Sequence, residues 1–309
     1  MRRFPSITLL FVCLLVAPTL FAQFETSEVL GSVHDPSNAP VPNATVTLTN
    51  QQTGIEAKTT TNENGEYDFF NVQVGVYTVK VEHAGFSVAS APDIRVEVNA
   101  RQRVDMTLTV GEISQSVNVT AAASTLTTDS SEHSQVVGTE ATVELPLNGR
   151  DPTDLALLAT NTVKSPIAVL FGPTGTPREG AFNVNGMRST YNFFLVDGMD
   201  NTAYGTSNQG YSAQVIQLSP DAVAEFRVIT SNYSAEYGRV GGAVVNAVMR
   251  SGTNQFHGTA YEFLRNTDLN AAGYDFGSAV FVKPPLQRNQ FGVTIGGPLI
   301  KNKLFFFGD

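Results

Sequence analysis

The sequence predicts a mainly β chain in three folded parts: a small β-sandwich, an α+β unit and a closing stretch of barrel-like strands. Short runs that alternate apolar and polar side chains recur from Val29 to the last residues, separated by Asn-Gly, Asp-Gly and Pro-containing turn signals. Charged residues make up only 15% of the chain, while Gly, Thr, Ser, Asn and Val recur throughout. Helix-start signals are confined to two places, Asp151-Pro152 and Ser219-Pro220-Asp221.

Residues 1–22 read as a signal peptide. Arg2 and Arg3 precede an apolar run from Ile7 to Ala17, then Pro18 and a short stretch ending in Ala22. That run falls short of the roughly 20 residues a membrane-spanning helix needs, so the chain is expected to be exported and not helix-anchored. Cleavage is expected after Ala22, although Leu20, three residues before the cut, is larger than the small residue preferred there. The only cysteine, Cys13, lies inside this segment, and the run Leu10 to Cys13 lacks the small residues that precede a lipidated cysteine. The exported chain would then hold no cysteine, leaving burial and strand pairing to stabilise it. The length of 309 residues is ample for two domains. With 19 basic and 28 acidic residues the formal charge is -9, or -11 without Arg2 and Arg3. Such an acidic balance disfavours nucleic acid as a partner.

Residues 27–110 carry the sandwich pattern. Val41 to Thr49 alternates, with Ala44, Val46 and Leu48 on one face, and Asn62-Glu63-Asn64-Gly65 is a tight turn in which Gly65 can take a positive φ. Tyr67, Phe69 and Val72 to Val74 follow, and Gly75 punctuates before Tyr77, Val79 and Val81. The stretches GSVHDPSNAPVPNATVTLTN and TTNENGEYDFFNVQVGVYTVKVEHAGF resemble the carboxypeptidase regulatory-like domain, which implies an Ig-type, transthyretin-like β-sandwich. That family name invites an enzymatic reading. A zinc carboxypeptidase needs closely spaced His and Glu ligands and a general base, but His34, His83, His133 and His257 are far apart and none has a Glu three residues on. Neither an enzyme nor a cofactor is expected. Such sandwiches are also described as carbohydrate-binding-like, yet no cluster of aromatics argues for a sugar platform.

Residues 111–137 read as a linker in which a brief alternation at Val117 and Val119 gives way to small polar residues. Within it Ser116, Val117, Asn118, Val119, Thr120 and Ala121 resemble the TonB box, the extended peptide through which TonB-dependent receptors are engaged by an inner-membrane motor. An extended peptide can add as a strand to a partner's sheet edge and so be pulled. The same residues fit equally well as the last strand of the sandwich or the first of the next domain.

Residues 138–253 form the α+β unit. LPLNGRDPTDLALLATNTV places Asp151-Pro152 ahead of Leu155, Leu157 and Leu158, predicting a short capped helix. Asn185-Gly186 predicts a hairpin turn, Phe193 to Val196 a buried strand ending at Asp197-Gly198, and Ser219-Pro220-Asp221 a second helix start with Ala222, Val223 and Phe226 on its apolar side, the chain returning to strand in Phe226 to Thr230. SPDAVAEFRVITSNYSAEYGRVGGAVVNAVMRSGTNQFHGTAYEFLRN, with LPLNGRD and VDGMDN, resembles the plug and first barrel strand of Oar-like TonB-dependent outer-membrane receptors. The resemblance implies a plug that sits inside a barrel and blocks it until the TonB box is pulled. Thr160-Asn161-Thr162 departs from the family, whose members commonly carry a Pro-Gly turn there. Arg188, Asp197, Asp200, Arg227, Glu236 and Arg239 are candidates for polar contacts between plug and barrel wall, where buried charges must be paired. A paired-carboxylate active site at Asp197 and Asp200 lacks a base, nucleophile or metal partner. GRVGG is no phosphate loop, because the strand-like AVVNAV follows it in place of a Lys-Ser/Thr helix start.

Residues 254–309 supply barrel-like strands. His257, Thr259, Tyr261 and Phe263 alternate with Gly258, Ala260 and Glu262; Phe291, Val293 and Ile295 alternate with Gln290, Gly292, Thr294 and Gly296; a third strand begins at Leu304. There is room for about three strands, whereas an outer-membrane barrel needs at least about eight, so the chain reads as the front part of a longer receptor with a truncated barrel. The expected protein resides in the outer membrane, with sandwich and plug on the periplasmic side. Its expected partners are the TonB complex, outer-membrane lipid and an unidentified large substrate such as a glycan or peptide. The alternative is an exported surface adhesion or carbohydrate-binding module without transport activity.

Overall fold

The computed structural model describes residues 27–111, 116–118, 129–147, 150–165, 182–203, 214–271 and 285–309. The expected signal peptide, with Cys13 and Ala22, lies outside the described residues. The mainly β organisation expected from the sequence is what the chain adopts.

The first domain pairs two sheets. Its strands are β1 (Ser27–His34), β2 (Thr45–Asn50), β3 (Glu56–Thr60), β4 (Glu66–Val72), β5 (Gly75–Glu82), β6 (Val88–Val96), β7 (Arg101–Arg103), β8 (Met106–Thr107) and β9 (Ser116–Asn118). One sheet runs β4-β1-β7 with β8 also on β1; the other runs β3-β2-β5-β6-β9. Period-two alternation turns Val46 and Leu48 of β2, and Tyr77, Val79 and Val81 of β5, toward Val29, Val33, Phe69, Ile94, Val96 and Leu108. Each such side chain, fully buried, contributes about 1.5–3 kcal/mol relative to exposure. The predicted turn forms: Gly65 has φ +74°, and a Cβ there would lie 2.6 Å from the Val33 carbonyl oxygen. Asn62 Oδ1 accepts the amides of Asn64 and Glu66, both at 2.9 Å. Across the core, Tyr67 Oη donates to the Val104 carbonyl at 2.6 Å.

The second domain is built on a mixed sheet. In order come β10 (His133–Gly138), α1 (Thr139–Glu144), a 3-10 helix at Pro152–Leu158, β11 (Thr162–Lys164), β12 (Phe182–Val184), a 3-10 turn at Ser189–Tyr191, β13 (Phe193–Val196), β14 (Met199–Asp200), β15 (Val223–Ser231) and β16 (Val244–Met249). The sheet order is β10-β15-β16-β13-β14, with β13 parallel to β16 and the other pairs antiparallel. Strand pairing thus reaches back to His133, inside the segment expected to be linker.

Two helix expectations are revised. Asp151-Pro152 does open a helix, with Asp151 Oδ1 accepting from Thr153 N at 2.9 Å, but it is a 3-10 helix. Ser219 opens only a turn, in which Ala222 N donates to the Ser219 carbonyl at 3.0 Å, and the chain enters β15 at Val223. The reason lies in β15, which is buried on both faces. Val223, Phe226 and Val228 join one apolar layer with Leu155, Phe182 and Phe194, while Ile229 joins a second with Leu195 and Val244. An extended backbone serves both layers; a helix would present one stripe. At the departure from the family pattern, Asn161 takes φ 59° between the 3-10 helix and β11, the left-handed conformation a Gly would otherwise supply.

The last part is an antiparallel meander of β17 (His257–Asn266), β18 (Gln287–Ile300) and β19 (Leu304–Gly308). His257, Thr259 and Tyr261 lie opposite Gly296, Thr294 and Gly292, so all six share one face, while Ala260 and Glu262 share the other with Val293 and Phe291. Phe291, Val293 and Ile295 are 79%, 63% and 54% exposed, whereas Thr294 is 2% exposed. Apolar outside with polar and small inside inverts a water-soluble sheet and suits a wall facing lipid. Residues 301–303 turn β18 into β19, whereas residues 267–286 separate β17 from β18 in the sequence.

Candidate functional site

The functional geometry lies at the seams between these parts. At the first seam the mixed domain meets the inner face of the barrel strands. Arg150, with φ 58°, stands just before the Asp151 cap of the 3-10 helix. There it forms an ion pair with Asp221, both side chains being largely buried. The guanidinium carbon stands 3.6 Å from the Phe263 ring centroid and 5.0 Å from that of Tyr261. Beside it Ser219 Oγ and Tyr261 Oη share a hydrogen bond of 3.0 Å. A cleft of about 280 Å³ runs between Arg150, Ser219, Tyr261 and Gln290. The Tyr261 ring lies over Gly292, where any Cβ would collide with it.

At the second seam the sandwich meets the mixed domain. Glu225 and Arg227, two residues apart on β15 and each 2% exposed, reach the turn after β6. Glu225 accepts the amide of Val98. Arg227 Nη1 donates to the carbonyls of Val98 at 3.0 Å and Asn99 at 2.8 Å, and its Nε donates to Ser134 Oγ at 2.8 Å. Asn99 Nδ2 donates to Tyr237 Oη at 2.6 Å. One sandwich turn is therefore held on both edges of its peptide. The sandwich also touches the barrel strands, where Asn254 Nδ2 donates to the Thr53 carbonyl at 2.7 Å and to Asn302 Oδ1 at 2.6 Å.

The six charged residues singled out in the sequence are spread over these surroundings. Arg227 is at the sandwich seam. Asp197 Oδ1 accepts the amide of Met249 at 3.0 Å within the mixed domain, and burial raises its carboxyl above the usual range. Asp200 pairs with Arg239 at 3.2 Å. Arg188 and Glu236 are exposed, the first preceding the 3-10 turn and the second following Ser234. Arg150 and Ser219, which sequence reasoning did not select as contacts, reach Phe263 and Tyr261 of β17. The signal was present in LPLNGRD, but a guanidinium's aromatic partners more than a hundred positions away leave no local trace. Of the candidate TonB box, Ser116–Asn118 form β9, parallel to Val88–Ser90 at the edge of the sandwich sheet; Val119, Thr120 and Ala121 lie outside the described residues.

The sandwich and the strands with an apolar outer face each resemble a known domain. Residues 28–109 match the carboxypeptidase regulatory-like domain and residues 248–309 the outer membrane beta barrel domain. The chain is 28% identical to the TonB-dependent transporter Oar of Myxococcus xanthus over 95% of its own length and 27% of that protein's. The chain resembles the Oar-like TonB-dependent outer-membrane receptors, and its place is the outer membrane. The chain thus spans about a quarter of the length of the curated relative. Among solved structures it is similar to the outer membrane transporter YddB of Escherichia coli, with 16% identity over 53% of this chain and 24% of that one and a TM-score of 0.44. It is also similar to the siderophore receptor PirA of Acinetobacter baumannii, with 22% identity over 55% and 22% and a TM-score of 0.39.

Proposed function

We propose that residues 138–253 are the plug of an energy-coupled importer and that this chain is its gate-bearing portion. A large substrate, such as a glycan or peptide, binds outside; the TonB complex pulls on the linker at Ser116 to Ala121; and the plug shifts to open the path. The outer faces of β17 to β19 meet lipid, the sandwich and plug lie on the periplasmic side, and the chain itself catalyses no reaction. The observation that carries this reading is the seating of Arg150 between Asp221 and the Tyr261 and Phe263 rings. A domain meant to leave its barrel is better held by a local polar and cation-π contact than by a continuous apolar core, because the separated groups can be hydrated. Arg188, Asp197, Asp200, Glu236 and Arg239 remain proposed contacts for the rest of the wall.

The test is an Arg150→Ala substitution in the receptor expressed in its outer membrane. Leaving Asp221 without its partner costs about 3–5 kcal/mol at a buried site, and the plug should loosen. Cells should become sensitive to a large hydrophilic antibiotic at unchanged receptor level. Unchanged resistance, together with soluble recovery of the wild-type protein in the periplasm, would favour an exported adhesion or carbohydrate-binding module instead.

A further inference from the structure

The seam between sandwich and mixed domain holds a carboxylate that neither the gate nor the sandwich core uses. Glu225 and Arg227 grip the Val98–Asn99 peptide from a sheet face, and Val98 and Ala100 of the gripped turn are buried without joining the sandwich's apolar core. Polar ties hold this turn: a carboxylate on an amide, a guanidinium on two carbonyls, an amide on a phenol. All of these polar groups would find water if the two domains separated, so breaking these ties carries little of the penalty of opening an apolar core. We propose that this contact is a proton-responsive latch, which holds the sandwich on the mixed domain in mild acid and loosens toward neutral pH.

The electrostatics around Glu225 set the direction. Burial first of all pushes its carboxyl from 4.5 up to about 7; the Val98 amide pulls it back, Glu97 adds to the rise, and Arg95 and Arg227 oppose it. Arg95 Nη2 stands 3.7 Å from Glu225 and its Nε 3.9 Å from Glu97, while Glu132 lies 3.8 Å from Arg227. The docked state therefore binds more protons than the separated one between those two values. Docking is strongest below the lower value, weakens as the pH rises toward the upper one, and levels off above it. A protonated Glu225 still accepts the Val98 amide through its carbonyl oxygen, so the grip survives neutralisation while the cost of burying charge disappears. If the mixed domain is the plug, as proposed above, the latch holds the sandwich against it; the latch itself does not depend on that reading.

Hydrogen exchange at the Val98 amide, whose acceptor is Glu225, reads the latch directly and needs neither TonB nor substrate. The purified receptor would be compared at about pH 5 and about pH 7, with rates expressed as protection so that the intrinsic pH dependence of exchange cancels. Protection of Val98 should fall at least about tenfold between them, while the amides of Val79 and Val81 stay protected at both. Glu225→Gln keeps the acceptor without a titratable proton and should hold Val98 protection constant. Equal Val98 protection at the two pH values in the wild type overturns the proposal, as does a pH dependence that persists in Glu225→Gln. The wild-type comparison decides the matter even if the variant does not assemble, and neither result bears on whether the plug gates transport.

Discussion

The sandwich strand β5 and the barrel strand β18 carry the same period-two alternation and put it to opposite use. In β5, Tyr77, Val79 and Val81 face a second sheet and vanish from solvent. In β18, Phe291, Val293 and Ile295 face outward and stay mostly exposed among the described residues, and the polar Thr294 is the buried one. Alternation therefore fixes which side chains share a face, and leaves open which medium the apolar face meets. Supporting signs in β18 are its glycines: Gly292 and Gly296 underlie the Tyr261 and His257 rings on the inner face.

The contrast can be broken first on the sandwich side. Val79 is fully buried, so Val79→Asp would place an unpaired charge in the core at a cost above about 4 kcal/mol. Limited proteolysis should then digest residues 27–110 while β17 to β19 remain membrane-embedded. Next, Val293→Arg on the outer face should cost about 2–4 kcal/mol near the bilayer midplane and nothing in water. Reduced recovery of folded receptor from outer membranes, with an unaltered sandwich, is the expected result; normal recovery would mean that this face does not meet lipid. A smaller loss of about 1–3 kcal/mol follows Tyr67→Phe, which strips the Val104 carbonyl of its phenolic donor, and a thermal scan should show the sandwich transition lowered. Smallest is Gly292→Ala, where the added methyl must displace the Tyr261 ring at a cost of about 0.5–1.5 kcal/mol. Its signature would be weakened Arg150 seating, read as slight antibiotic leakage, with no change in the sandwich.

Much of the fold was legible in short stretches. Gly65, the Asn185-Gly186 pair and the Asp197-Gly198 pair all take the positive φ that their turn signals predict. The helix expected at Ser219 was not legible, because its local signals of cap, proline and acid are shared by turns. What decided between them was the demand of two apolar layers for β15. The candidate contacts were legible as chemistry and not as partnership. Arg227 was selected as a charge needing company, and it has company in Val98, Asn99 and Ser134 of other strands and turns. Arg150 was passed over, although its ion pair with Asp221 and its two rings make it the seat of the mixed domain on β17.

By itself, the sequence determined the turns, the strand periodicity, the division into sandwich, mixed domain and barrel-like strands, and the acidic balance that argues against nucleic acid. These follow from backbone preferences and side-chain spacing, which act over a few residues. Tertiary structure alone decided that Val293 faces outward while Val79 faces inward, that Ser219 turns into a strand, and that Glu225 and Arg227 close on a peptide of another domain. Those outcomes depend on groups brought together across more than a hundred positions, where burial changes what a charge costs and which neighbour can repay it.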